Sequence, residues 1–161
     1  METPSVGTLG EVVSEESQCK IFSDGTKGWF LNGERHRFDG PALEWADGTK
    51  EWWFNGKRHR TDGPALVWAS GDKEWYFNGK RHRTDGPTIE GTDGSKEWWF
   101  RGKRHRTDGP AIERADGTKV WYFNGGFLGL GDKGFWALWE LLNEEERSNW
   151  KLLQWAPWVK S

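Results

Sequence analysis

A period of 23 residues runs through most of this 161-residue chain. Asp24, Asp47, Ser70, Asp93 and Asp116 occupy equivalent places 23 residues apart, with no insertion between copies. The fullest copy, residues 47–69, reads DGTKEWWFNGKRHRTDGPALVWA. Four copies are complete, and a fifth begins at Asp116 and fades after Gly125. Cys19 to Ser23 fall where Ala42 to Ala46 sit one period later, so the array opens with half a unit. A unit this short cannot enclose a core of its own. Each copy must bury its apolar face against its neighbours, which makes the chain a linear array.

Within a copy, two segments read as strands. Lys50 to Asn55 is rich in β-formers, and Pro64 to Ala69 is a second short apolar run. The link from the second segment to the next first one is short and centred on Asp-Gly, a hairpin signal. The return link, Asn55 to Gly63, is longer and charged. The pattern predicts a mainly β fold, an elongated, twisted antiparallel meander of about ten strands, two per repeat, about 45–50 Å long. Alternation puts Trp29, Trp52, Trp75, Trp98 and Trp121 on one face with Leu31, Phe54, Phe77, Phe100 and Phe123. Phe30, Trp53, Tyr76, Trp99 and Tyr122 line the opposite face, beside Glu51. Leu43, Leu66, Ile89 and Ile112 are assigned to the first, heavier face, and Glu44, Val67, Glu90 and Glu113 to the lighter one.

Composition fits such a fold. With 14 Trp and 22 Gly and few aliphatics, the core must be built from aromatic rings joined by tight turns. The 23 Lys and Arg against 25 Asp and Glu give a net charge of −2. No global charge commits the chain to nucleic acid or anionic membrane, so any basic surface is local. Cys19 is the only cysteine and has no internal disulfide partner. Residues 1–18 have neither a basic leader nor an apolar run, and no segment has the length of a membrane helix. The expectation is a cytoplasmic protein with no membrane insertion.

The phrase Trp-x-x-Asn-Gly-Lys-x-His, here Trp52 through Asn55-Gly56-Lys57-Arg58-His59, followed by Ala-Asp-Gly-Thr, as at Ala46 to Thr49 and Ala115 to Thr118, resembles the MORN repeat. The likeness covers residues 24–125. It departs from that family after the histidine, where Arg60-Thr61-Asp62-Gly63-Pro64 replaces a His-Gly-x-Gly pattern. This variant is similar to repeats of bacterial and phage proteins, some of them antitoxin-like. The resemblance implies an elongated β-meander that scaffolds other molecules, and for the wider family lipid binding is a further implied role.

Each return link carries one basic cluster: Glu34-Arg35-His36-Arg37, Lys57-Arg58-His59-Arg60, Lys80-Arg81-His82-Arg83 and Lys103-Arg104-His105-Arg106. Together they hold all four histidines. Three roles suit this ladder. Asp39, Asp62, Asp85 and Asp108 could neutralise the arginines and make the loops structural. Arginines beside aromatic faces suit a nucleic acid or nucleotide phosphate. An acidic protein surface is the third ligand. The row Trp53, Tyr76 and Trp99 is a candidate aromatic groove for a partner, against covering by coiling or by the C-terminal segment. His and Asp at i,i+3 among basic neighbours do not assemble a metal shell, and no cofactor motif occurs. Repetition offers the same groups many times, whereas an active site needs different groups converging once. The expected function is therefore non-enzymatic binding of a protein partner, as an inhibitor, antitoxin-like factor or scaffold, with nucleic-acid binding as the alternative.

Outside the array, residues 1–17 read as a flexible acidic tail and 126–161 as an aromatic-rich helical cap. Residues 135–142 predict a short helix entered through Asp132, and Asn143 is placed as the cap of a second. The rival role for this segment is self-association of two copies into a homodimer.

Overall fold

The computed structural model describes residues 16–142 and 144–148. All but Glu16 and Ser17 of the expected flexible tail, the Asn143 cap and the last thirteen residues lie outside the described residues. The fold is mainly β: a 12-stranded antiparallel sheet followed by helix α1 (Gly131–Leu141) and the single-turn α2 (Glu144–Ser148). Its backbone path runs in chain order. Gln18–Ile21 pairs with Lys27–Leu31, then come Leu43–Glu44, Lys50–Glu51, Leu66–Val67, Lys73–Glu74, Ile89–Glu90, Lys96–Glu97, Ile112–Glu113, Lys119–Phe123 and Gly126–Leu130. Glu34–Arg35 pairs back onto Lys27–Leu31.

Strand count is the first correction. The segment Lys50 to Asn55 is two strands, not one. The ladder changes partner at Trp52, whose N–H donates to Ala65 and whose carbonyl accepts from His59. Beyond it, Trp53–Phe54 folds onto Lys57–Arg58 as a separate hairpin. Tyr76–Phe77 with Lys80–Arg81, and Trp99–Phe100 with Lys103–Arg104, repeat this. The turn has positive φ at both central residues, 46° at Asn55 and 68° at Gly56, the backbone that matches the right-handed strand twist. Successive hairpins are joined by backbone bonds, such as Gly79 N–H to the Arg58 carbonyl at 2.8 Å. Each copy thus contributes to a main sheet and to a second row of hairpins, and the first two residues of each basic cluster are strand, not loop.

The second correction concerns faces. Glu51 pairs directly with both Leu43 and Leu66, so the aliphatic row lies on the Trp53 side. Glu44 pairs with Lys50 on the Trp52 side. The cause is the Asp-Gly turn. Trp45 N–H donates to Thr49 O, leaving Ala46, Asp47 and Gly48 as a three-residue loop with Gly48 at φ 93°. Three loop residues instead of two shift the register by one, and a one-residue shift exchanges the faces of a strand. Asp47 Oδ1 fixes the loop by accepting the Thr49 N–H.

At the C-terminal end the domain boundary moves. Gly126–Leu130 is a strand paired with Lys119–Phe123, so the sheet extends past Gly125 and the helical segment begins at Gly131. Helix α1 starts from Leu130 without a side-chain cap and has Asp132 in its first turn. It packs Phe135, Leu138 and the following Leu142 against Trp121. Gly134 admits that contact: a Cβ there would lie 2.3 Å from Trp121 Cδ1. No helix of the described residues is long and apolar enough to cross a membrane.

Candidate functional site: the arginine, histidine and aromatic ladders

Hairpin and return link together place each basic cluster against three rows of rings. The last arginine of each cluster stacks on the first tryptophan of its copy. Arg37, Arg60, Arg83 and Arg106 lie 4.0, 4.1, 3.9 and 3.7 Å from the ring centroids of Trp29, Trp52, Trp75 and Trp98. Their Nε atoms donate to Asp39, Asp62, Asp85 and Asp108 at 2.7–2.9 Å. Their Nη1 atoms donate to the carbonyls of Pro41, Pro64, Pro87 and Pro110. Arg83 and Arg106 also pair with Glu90 and Glu113. These arginine side chains keep only 14–23 % of their surface exposed. The Arg partner holds the carboxyls of Asp39, Asp62 and Asp85 below the usual carboxylate range, through its hydrogen bond first and its charge as well.

The first arginine of each cluster works on the opposite face. Arg35, Arg58, Arg81 and Arg104 interleave with Trp53, Tyr76, Trp99 and Tyr122 at 4.9–5.9 Å from the ring centroids. Arg58, Arg81 and Arg104 pair with Glu51, Glu74 and Glu97. Trp53, Tyr76 and Trp99 are therefore half-buried between guanidinium groups, and this row is not an open groove. Among the described residues the covering of Trp53, Tyr76 and Trp99 comes from the neighbouring arginines, and Tyr122 also meets Phe127.

Sequence reading passed over the carboxylates at the centre of this arrangement. Glu51 and Glu74 are 4 % and 8 % exposed. Glu51 accepts from Trp45 Nε1 at 2.8 Å, Trp53 Nε1 at 2.9 Å and Arg58 Nε at 2.8 Å. Glu74 accepts from Trp68 Nε1, Tyr76 Oη and Arg81. Burial pushes the Glu51 carboxyl up, but the hydrogen bonds from Arg58 and Trp45 and the Arg58 charge outweigh it and leave it lowered. Burial and the bond to Glu74 raise the Tyr76 hydroxyl. The signal for this hub was present in the sequence as a glutamate two residues before the ring that caps it.

The histidines form the third ladder. His36, His59, His82 and His105 alternate with Phe54, Phe77, Phe100 and Phe123, at 4.5–6.2 Å between ring centroids. Nδ1 of each sits at the next hairpin turn. It lies 2.7 Å from Asn55 Oδ1 for His36 and 2.8 Å from Asn78 Oδ1 for His59. Among the described residues no group of three His, Cys, Asp or Glu is arranged to hold a metal ion.

After these contacts, Arg37, Arg60, Arg83 and Arg106 present little surface to solvent, whereas Arg58, Arg81 and Arg104 keep about a third of theirs. Phe38, Phe77 and Phe100 are 79 %, 46 % and 37 % exposed. The carboxylates of Asp39, Asp62 and Asp85 face water beside them. Between successive return links lie open grooves; one of about 410 Å³ is lined by Phe38, Trp52, Phe54, His59 and Asp62. Lys57, Lys80 and Lys103 remain exposed at the hairpin tips. No family model matches this chain, and no curated protein matches it.

Proposed function

We propose that the chain is a non-enzymatic binding module that recognises a protein partner along its phenylalanine–histidine stripe, in the manner of a scaffold or inhibitor. One observation carries this reading. Every arginine of the three clusters from Lys57 to Arg106 is already engaged by a carboxylate and a ring, whereas Phe77 and Phe100 stay exposed and Phe54 stays half-buried. A phosphate ligand would have to compete with those internal carboxylates, which argues against the nucleic-acid alternative. Exposed aromatic side chains beside polar rims are what protein interfaces enrich. The recurring grooves favour an extended ligand surface over a compact one.

The test compares the wild-type chain with a Phe54→Ser, Phe77→Ser, Phe100→Ser variant in affinity capture from the native cell. A protein retained by the first and lost by the second, with little change between low and moderate salt, is the expected result. Capture of nucleic acid that Lys57→Glu, Lys80→Glu, Lys103→Glu abolishes would overturn the reading, as would a partner indifferent to the Phe substitutions.

A further inference from the structure

The residue just before each short loop closes over the strand position three residues beyond the loop, as Trp45 does over Glu51. Comparing copies isolates one that is unclosed. In the opening half-unit, Phe22 closes over Gly28, and a Cβ at Gly28 would lie 2.8 Å from the Phe30 ring and 3.2 Å from Phe22. In the next two copies an indole closes over a glutamate: Trp45 donates to Glu51 Oε1 at 2.8 Å and Trp68 to Glu74 Oε1 at 3.2 Å. At the end of the array Arg114 precedes Val120, with no carboxylate to close. Between them stands Gly91, which has no side chain, before Glu97, which keeps its carboxylate.

Glu97 shows what the missing indole leaves behind. Trp99 Nε1 and Arg104 Nε both bond to Oε2, at 2.8 and 3.2 Å. Among the described residues no donor reaches Oε1, the atom that takes the indole in the other two copies. The Glu97 side chain is 25 % exposed, against 5 % for Glu51 and 10 % for Glu74. Beside it opens a groove of about 480 Å³, where Ile112, Ala115 and Val120 lie among the charged side chains of Asp93, Arg104, Arg114 and Asp116. Ile112, Ala115 and Val120 give it an apolar patch within a charged rim, Glu97 gives it a carboxylate acceptor, and its volume lies in the range of small-ligand sites.

We propose that this groove is a subsite for a tryptophan side chain supplied by a partner polypeptide, with the incoming indole N–H donating to Glu97 Oε1. The molecule itself provides the template, because Trp45 and Trp68 make that contact in the equivalent copies. A flat ring with one N–H can lie on the Ile112, Ala115 and Val120 patch while donating to Glu97, and the mixed charges of the rim, Arg104 and Arg114 against Asp93 and Asp116, select for neither an anion nor a cation. The proposal deepens the protein-binding reading but stands on a different surface from the Phe row, so the two can fail separately.

The experiment uses the full chain and N-acetyl-5-fluorotryptophanamide, followed by fluorine NMR so that the chain's own 14 Trp do not interfere. Saturable binding is expected, weakened about ten-fold or more by Glu97→Ala, the change expected for losing a hydrogen bond to a charged group. Gly91→Trp should fill the groove from within and abolish probe binding. A Cβ at Gly91 meets Asp93 Oδ1 and Ser95 Oγ at 2.5 Å, so the Gly91→Trp, Ser95→Ala double variant is run beside it. Replacing Trp150, Trp155 and Trp158 by alanine distinguishes the source. Binding that appears only in that variant would overturn the assignment to a partner and give the subsite to the chain's own C-terminal segment. No saturable binding in either background, or binding that Glu97→Ala leaves unchanged, would overturn the subsite itself while leaving the Phe-row test intact.

Discussion

Replacing Glu51 by alanine probes the buried hub most directly. It removes one acceptor from three donors, the indoles of Trp45 and Trp53 and the guanidinium of Arg58. The carboxylate is 4 % exposed, but the Arg58 side chain keeps 32 % of its surface, so the stranded cation can turn toward water. The penalty of about 3–5 kcal/mol for breaking a fully buried pair is therefore an upper bound. Two indole bonds at about 1 kcal/mol each and a partly screened charged bond at about 1 kcal/mol give a cost of about 3 kcal/mol. The same substitution at Glu97 removes one indole bond and one longer ion pair from a more open site, for about 1–1.5 kcal/mol. Urea denaturation followed by circular dichroism should place Glu51→Ala well below Glu97→Ala. Amide hydrogen exchange on the same samples checks whether the array unfolds as a unit. Equal costs would refute the claim that burial and the indole lid set the value of this carboxylate. Acid provides a second check on the same residue. Its folded-state pKa is lowered, so its contribution is full above the unfolded value and lost as pH falls through the folded one. The Glu51→Ala penalty should thus shrink below about pH 4, the ordinary glutamate range; a penalty that grows in acid would contradict the sign.

The remaining predictions address the turns, the cap and the arginines. Arg101 holds φ 51° where the other hairpins use Asn32, Asn55, Asn78 and Asn124, so Arg101→Asn should stabilise the chain by about 0.5–1 kcal/mol; a lower melting temperature would refute it. Gly134→Ala should force α1 off Trp121 at a cost of about 1–3 kcal/mol, read as faster amide exchange in residues 131–141, and unchanged protection would count against the packing described. The triple change Arg58→Glu, Arg81→Glu, Arg104→Glu sets three carboxylates against Glu51, Glu74 and Glu97 and should unfold the array; a wild-type melting curve would mean that those pairs do not hold it.

The period and the aromatic spacing made the antiparallel array legible from residues alone, because a 23-residue unit has few other ways to bury two rings in succession. What the sequence hid was set by single residues of turn geometry. Whether Ala46-Asp47-Gly48 loops as two or three residues cannot be read from an Asp-Gly pair, yet it decides which face Leu66 joins. The partner change at Trp52 was equally hidden, since Trp52, Trp53 and Phe54 read as one β-forming run. Asn55-Gly56 was visible as part of a loop, although its two positive φ angles make it the tip of a hairpin. For the basic clusters, the residues singled out were those the fold gathers, but their charge is spent inside the molecule. That outcome depends on Arg58 meeting Glu51 seven residues back and Arg83 meeting Glu90 seven residues ahead, distances along the chain that only the folded hairpin brings together.

The differences between copies carry more functional information than their common pattern. A common residue can be explained by the array, because each copy must present the same contacts to its neighbours. A residue that departs from the pattern gives up such a contact. Two departures meet around Glu97: Gly91 at the end of the preceding copy provides no indole to close it, and the hairpin turn of the copy spanning residues 93–115 carries Arg101 in a backbone conformation better suited to asparagine. Neither change brings a compensating contact of the kind the other copies make, apart from the Arg101 guanidinium lying 5.1 Å from the Phe100 ring. In a nearest-neighbour array, a weakened internal copy is held in place by the copies on either side. Stability lost in the middle is therefore tolerated, and the solvent-facing Glu97 oxygen, which meets no donor among the described residues, stays fixed in position by a scaffold that does not depend on it. That is the arrangement a binding subsite requires: a polar atom positioned by rigid neighbours but not yet used by them.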